Sequence, residues 1–309
     1  MKIVFLDRKT LGDDITLEQF EQFGEIVTFE STNRSETLQR VKDADIVVTN
    51  KVVIDKDIID CSDIKLICVA ATGMNNIDLE YAKQKNIVVK NVAGYSTSSV
   101  AQLTFSFALE FVQQIGYYDN YVKSGGWENS KIFTNLDKPF YELDGKVWGI
   151  IGLGNIGKNV AKIAESFGCK VQYYSTSGAN NNTNYSKKLL EELLNSSDII
   201  SIHSPLNDAT SNLINKTNIS NIKDGSIILN LGRGGIVNEQ DITDAINDNQ
   251  NIYYGTDVVT KEPIEQSSPL LTINNKDKVL FTPHIAWASK EARVRLLNGI
   301  ELNIKEFMI

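Results

Sequence analysis

Two histidines occur in the 309 residues, His203 and His284, and each falls where an apolar, β-branched run ends. Imidazole is the side chain that trades a proton near neutral pH, so its neighbours decide whether it does chemistry or fills space. His284 stands in Thr282-Pro283-His284-Ile285-Ala286-Trp287, just before the last helical stretch. Glu262 precedes Pro263 shortly after another run, which ends near Asp257. A carboxylate beside an imidazole favours the charged ring and makes it a proton donor. Arg233 lies in Asn230-Leu231-Gly232-Arg233-Gly234-Gly235, where glycines on both sides suit the close approach of an anion. The structural alternatives are a core histidine and a solvated loop arginine.

A second constellation runs from Lys146 to Ser175. The apolar run Val147 to Ile151 reads as a buried strand, and Gly152-Leu153-Gly154-Asn155-Ile156-Gly157 follows. Apolar residues at helical spacing (Val160, Ile163, Ala164, Phe167) precede a second strand, Val171 to Tyr174. In that context Gly152 permits the tight turn, Gly154 lets backbone approach a pyrophosphate, and Gly157 lets the helix pack on the strand. The helix start then offers unpaired N–H groups and the positive end of its dipole to phosphates. A dinucleotide site is expected here, with a purely structural glycine turn as the alternative.

These residues need a scaffold, and the sequence supplies a strand and helix rhythm. Runs at Ile3 to Leu6, Ile26 to Phe29, Ile46 to Val48, Leu66 to Val69 and Ile87 to Val89 predict strands. Helices are predicted at Leu17 to Phe23, Thr37 to Lys42 and Leu79 to Lys83. This is a small parallel α/β domain, and Ala70 to Asn76 lies at a strand's C-terminal end, where such sheets bind ligands. Ser96 to Gln114 reads as a long helix with a wide apolar face, followed by an irregular, aromatic-rich stretch from Tyr117 to Tyr141 that packing on a second subunit would bury. Beyond the glycine unit the spacing predicts helix Lys187 to Leu194, strands Ile199 to His203 and Ser226 to Asn230, and helix Glu239 to Asp248. Strands Ile252 to Thr256 and Val279 to Phe281 and a final helix from Lys290 to Phe307 complete the rhythm.

A net charge of −8 and a sequence pI near 5.0 argue against a nucleic-acid surface. No apolar run approaches a signal segment or a membrane span, so a cytoplasmic protein is expected. The three cysteines, Cys61, Cys68 and Cys169, are odd in number and scattered, which fits reduced thiols better than disulfides or a metal site.

Taken together, the glycine fingerprint, His203-Ser204-Pro205-Leu206, Asn230 to Val237, Gly255 to Val258 with Glu262-Pro263, and Thr282 to Ala288 resemble the D-isomer-specific 2-hydroxyacid dehydrogenases over essentially the whole chain. The resemblance implies two Rossmann-like or flavodoxin-like parallel-sheet domains with an active-site cleft between them. It implies a catalytic domain of 1–97 plus 287–309, an inserted dinucleotide domain of 98–286, and a homodimer. The implied reaction is reversible reduction of a small 2-keto acid by NADH or NADPH. Arg233 would hold the substrate carboxylate, His284 would protonate the carbonyl oxygen, and Glu262 would orient His284. Gly152, Gly154, Asn155, Ile156, Gly157, Ser175, Thr176, His203, Ser204, Pro205, Leu231, Gly232, Arg233, Asp257 and His284 would line the cofactor. Thr72, Gly73, Met74, Arg233, His284 and Trp287 would line the substrate. Ala71 to Asp78, Gly94 to Thr97 and Pro283 to Trp287 look most like the glycerate dehydrogenase (hydroxypyruvate reductase) branch.

Gln102 stands where many members carry Glu, and Ser175 with Thr176 stands where NAD-preferring members carry an acid. The choice between NAD and NADP is therefore open at this stage. The competing readings are a dehydrogenase for a different 2-keto acid and a non-catalytic, dinucleotide-sensing corepressor on the same fold.

Overall fold

Short β-branched runs pair side by side in parallel throughout the chain, and the helices between them return each strand to the same edge. The computed structural model describes residues 1–309 and divides into two units, Met1–Ser96 with Trp287–Ile309, and Thr97–Ala286.

In the first unit the elements run β1 (Lys2–Phe5), β2 (Glu25–Thr28), α1 (Arg34–Val41), β3 (Ile46–Thr49), α2 (Lys56–Asp60), β4 (Leu66–Val69), α3 (Leu79–Gln84) and β5 (Val88–Lys90). All pairings are parallel and the strand order is β2-β1-β3-β4-β5. One face buries Ile3, Phe5, Ile46 and Leu66, and the other buries Val4, Val47, Ile67 and Val69. This alternation explains why β3 and β4 are buried throughout and nearly all apolar: both faces are covered. The stretch expected as a helix at Leu17 to Phe23 is instead a 3-10 turn over Glu18–Phe23, with Phe20 and Phe23 buried. Apolar residues every third position match the three-residue period of that turn better than an α-helix. No periodic apolar pattern marks α2, a short helix whose first turn is capped by the Asp55 carboxylate accepting from Ile58 N at 3.3 Å.

The second unit begins with α4 (Thr97–Gln113), followed by α5 (Ile115–Lys123), β6 (Val147–Ile151), α6 (Asn155–Ser166), β7 (Lys170–Tyr174), β8 (Ser186–Lys187), α7 (Leu190–Ser196), β9 (Ile199–Ile202) and β10 (Ile227–Asn230). It ends with α8 (Glu239–Asn247), β11 (Tyr253–Thr256) and β12 (Val279–Phe281). The seven strands are parallel in the order β12-β11-β10-β9-β6-β7-β8, so the chain reverses direction across the sheet at β6 and β9. That reversal is the topological switch point at which open α/β sheets bind ligands. Phe105, Phe107 and Phe111 of α4 join the core on one face, while Leu193, Ile242 and Ile246 cover the other. The chain's last helix, α9 (Lys290–Met308), returns to the first unit and buries Leu296, Leu297 and Ile300 there.

Two expectations need correction here. The stretch from Tyr117 was expected to be irregular, yet it opens within α5, a helix with no buried residue. The helix expected from Lys187 starts at Leu190, because Ser186–Lys187 pairs as an edge strand with Gln172 and Tyr173. Glu192 then reaches back to Leu189 N at 3.1 Å and fixes the later start.

Candidate active site

Three neighbouring strands of the second unit, β10, β11 and β12, end in the loops that carry Arg233, Glu262 and His284. Parallel pairing puts all three loops on one edge of the sheet. Glycine lets them crowd together: a Cβ on Gly234 would lie 2.0 Å from Val259 O, so the arginine loop touches the backbone leading to Glu262 only because no side chain intervenes.

His284 Nδ1 lies 2.7 Å from Glu262 Oε2, and Val259 N donates to Glu262 Oε1 at 3.4 Å. With Nδ1–H donated to the carboxylate, the tautomer is set and Nε2 is the nitrogen left to carry a moving proton. Both side chains are partly exposed, 22% and 33%, as a group that meets a substrate must be.

The backbone of His284 is in the left-handed region at φ 55, a conformation that a bulky residue adopts only when its surroundings impose it. Asp257 imposes it. Its carboxylate, 2% exposed, accepts from Thr282 Oγ1 at 2.6 Å, Ile285 N at 2.8 Å and Ala286 N at 2.9 Å. His284 N completes the turn by donating to Asp257 O at 2.9 Å. Burial pushes the Asp257 carboxyl up, and these three donors together with the nearby imidazole pull against that shift. In the sequence Asp257 is expected only beside the cofactor. Its hold on the histidine turn went unseen, although Thr282, two residues before His284, supplied a hydroxyl at the right place.

Arg233 is exposed. Its Nη1 donates to Gly232 O at 2.8 Å, and Asn230 Nδ2 donates to Arg233 O at 2.9 Å, which pins the loop. No carboxylate pairs with the guanidinium, so its fork is available to a bound anion. Leu231 and Gly232 are buried beneath it.

The other histidine differs. Both ring nitrogens of His203 are buried without a partner, and burial pushes the imidazole down to about 3. It is neutral at pH 7 and is no source of protons. Next to it the Ser204 hydroxyl is also buried and unpartnered, while Pro205 is exposed and accepts from Thr210 Oγ1 at 2.7 Å. Burial likewise raises the thiols of Cys68 and Cys169, to about 12 and about 11, which excludes them as thiolate nucleophiles at neutral pH.

The glycine turn fits a dinucleotide. Gly152 has φ 93, and a Cβ there would lie 2.9 Å from Ser204 N, so this position requires glycine. A Cβ on Gly157 would lie 2.4 Å from Gly152 O, the close helix packing expected from the motif. Gly154 differs, since a Cβ there would meet nothing within 4 Å: its outer face is open. Gly154 also caps α6 with no side-chain hydrogen bond, and no acid sits in the first turn. The first N–H groups of α6, beginning at Asn155 and Ile156, therefore have neither a protein cap nor a competing anion, and a phosphate satisfies both needs. Beyond β7, Ser175 is buried and its hydroxyl accepts from Asn180 N at 3.2 Å, while Thr176 is half-buried. Asn180 Nδ2 donates to Leu153 O at 2.7 Å and ties this loop to the glycine turn.

In the first unit, Thr72, Gly73 and Met74 follow β4 at the C-terminal edge of that sheet. Asn91 Nδ2 donates to Thr72 O at 2.6 Å and Thr72 Oγ1 donates to Val92 O at 3.2 Å, which fixes the loop. Trp287 packs edge-on against Tyr95 at 6.3 Å.

Comparison with known proteins agrees with this arrangement. The family described as "D-isomer specific 2-hydroxyacid dehydrogenase, NAD binding domain" matches residues 105–286. A hydroxypyruvate reductase of Blautia hydrogenotrophica is 40% identical over 100% of this chain and 97% of its own. A glycerate dehydrogenase of Methylorubrum extorquens is 35% identical over 99% of this chain and 96% of its own. Among solved structures, an acyclic imino acid reductase, Bsp5, in complex with NADPH and D-Arg superposes with a TM-score of 0.86 at 27% identity, covering 100% of this chain and 97% of that one. No helix is long and apolar enough to cross a membrane. Full-length relatives, the nucleotide-binding half and the two all-parallel sheets converge: the chain belongs to the D-isomer-specific 2-hydroxyacid dehydrogenase family, NAD(P)-linked oxidoreductases acting on a CH–OH group.

Proposed function

We propose that this protein reduces a small, polar 2-keto acid, hydroxypyruvate or glyoxylate, to the D-2-hydroxy acid. The observation that carries the reading is the 2.7 Å contact between His284 and Glu262. A reduced nicotinamide bound at the glycine turn would supply the hydride for the keto carbon. Arg233 holds the carboxylate of the keto acid in its guanidinium fork and draws electron density toward the carbonyl oxygen. As negative charge builds on that oxygen, the His284 Nε2 proton moves to it, and Glu262 stabilises the ring throughout. In the reverse direction the same nitrogen accepts the hydroxyl proton. Thr72, Gly73, Met74 and Trp287 are assigned to the substrate, the first three through their place at the end of β4.

The substrate class follows from the relatives named hydroxypyruvate reductase and glycerate dehydrogenase. The test is a panel of hydroxypyruvate, glyoxylate, pyruvate and a branched 2-keto acid, compared by kcat/KM with NADH and NADPH. The highest value is expected for hydroxypyruvate or glyoxylate, because a polar pocket offered an apolar side chain leaves hydrogen-bonding groups unpaired. A branched acid at the top would refute the substrate assignment.

The same reading includes a cytoplasmic homodimer. Trp127, Ile132, Phe133, Leu136 and Phe140 are exposed, Phe133 by 88%, and a second copy seated on this segment would bury them. A solution mass of twice 34.4 kDa, lost on Phe133→Asp with Leu136→Asp, is the expected outcome.

A further inference from the structure

Cofactor choice in this fold is decided just past β7, where a carboxylate accepts from the ribose hydroxyls of NAD and repels the 2′-phosphate of NADP. That carboxylate is missing: residues 175–188 contain no acid. The cation that sequence proximity fails to supply is brought by the edge strand. Register pairs Tyr173 of β7 with Lys187 of β8. From there the ammonium reaches Gly178 O and Asn181 Oδ1, each at 3.0 Å. Gly178 closes the turn that begins at Ser175, donating to Ser175 O at 3.1 Å. The charge therefore sits on the tight turn that follows β7, although Lys187 lies thirteen residues beyond Tyr174, the last residue of that strand.

We propose that Lys187 is the residue that recognises the 2′-phosphate of NADP(H) in this chain. Three observations support the assignment. Both acceptors of Lys187 are neutral and no carboxylate pairs with it, so its charge is not already neutralised and a third N–H is free. The loop that holds it is fastened to the nucleotide turn, since Asn180 donates to Leu153 O and Tyr173 Oη donates to Asn180 O and Asn182 O at 3.2 and 3.1 Å. Ser175 and Thr176, the first residues past β7, carry hydroxyls on the turn that Gly178 closes. A lysine used this way acts as a point charge on phosphate, without the two-pronged geometry of arginine.

The inference rests on the dinucleotide site proposed above, and its test separates the two. Calorimetric titrations with NADP⁺, NAD⁺ and adenosine 2′,5′-bisphosphate are made on the wild type, Lys187→Ala and Lys187→Arg. The expected result is that Lys187→Ala lowers the ratio of NADP⁺ to NAD⁺ affinity about tenfold and weakens the bisphosphate about equally, the scale of one charge-assisted contact. Lys187→Arg restores most of both. The wild-type affinity for the bisphosphate falls as salt is raised. An unchanged ratio in Lys187→Ala, or equal loss of both dinucleotides, would overturn the role of Lys187 and leave the cofactor site standing. A wild type that binds neither dinucleotide would overturn both.

Discussion

The Nδ1 of His284 and the Oε2 of Glu262 are 2.7 Å apart, although the two residues hang from different strands and are separated by a strand and two 3-10 turns in the sequence. The carboxylate fixes which ring nitrogen holds the permanent proton, so in the proposed reaction it would act through the histidine. Replacing it by an amide keeps the shape and removes the charge. Glu262→Gln should lower kcat about tenfold to a hundredfold with little change in cofactor affinity. Equal kcat in the variant and the wild type across pH 6 to 9 would remove Glu262 from the site.

Asp257 governs the same histidine from the other side. Truncating it leaves the N–H groups of Ile285 and Ala286 and the hydroxyl of Thr282 without their acceptor and releases the constraint that holds His284 at φ 55. Asp257→Ala should cost about 3 kcal/mol of stability, because relief of carboxylate burial offsets part of the lost hydrogen bonding. Turnover should fall more than the loss of folded protein accounts for. Urea unfolding read beside kcat per folded enzyme checks this, and full activity in the folded fraction would contradict it.

His203 gives the fold a pH dependence of known sign. Its native imidazole stays neutral down to about 3, whereas in the unfolded chain it takes up a proton near 6.5. Between those values the unfolded state binds more protons, so this group makes stability rise with pH by up to about 1.4 kcal/mol per unit. From pH 7 to 5, the wild type should lose about 2 kcal/mol more than His203→Gln. Identical losses in both proteins would mean that His203 is protonated in the native state.

Much of this was readable in the residues. β-Branched runs bounded by polar segments marked most of the strands because buried parallel strands must be apolar on both faces, as Ile46 and Val47 of β3 show. Gly152 and Gly157 announced their turn because a Cβ at either would collide with backbone, and Gly154 because its open face leaves room for a ligand. What escaped was set by tertiary contacts. Lys187 looked like the first residue of a helix, and only its pairing with Tyr173 reveals it as an edge-strand residue with an ammonium beside Gly178. The Asp257 clamp was hidden for the same reason: its partners lie 25 to 29 positions away, and no local pattern joins them.

In the proposed reaction His284 delivers the proton as hydride reaches the keto carbon. The most direct measurement is the single-turnover rate of NAD(P)H oxidation by hydroxypyruvate in wild type and His284→Ala, with cofactor affinity measured on the same samples. A fall of about a hundredfold or more in the rate is expected, at cofactor affinity within a few-fold of wild type. A variant that transfers hydride at close to the wild-type rate would contradict it.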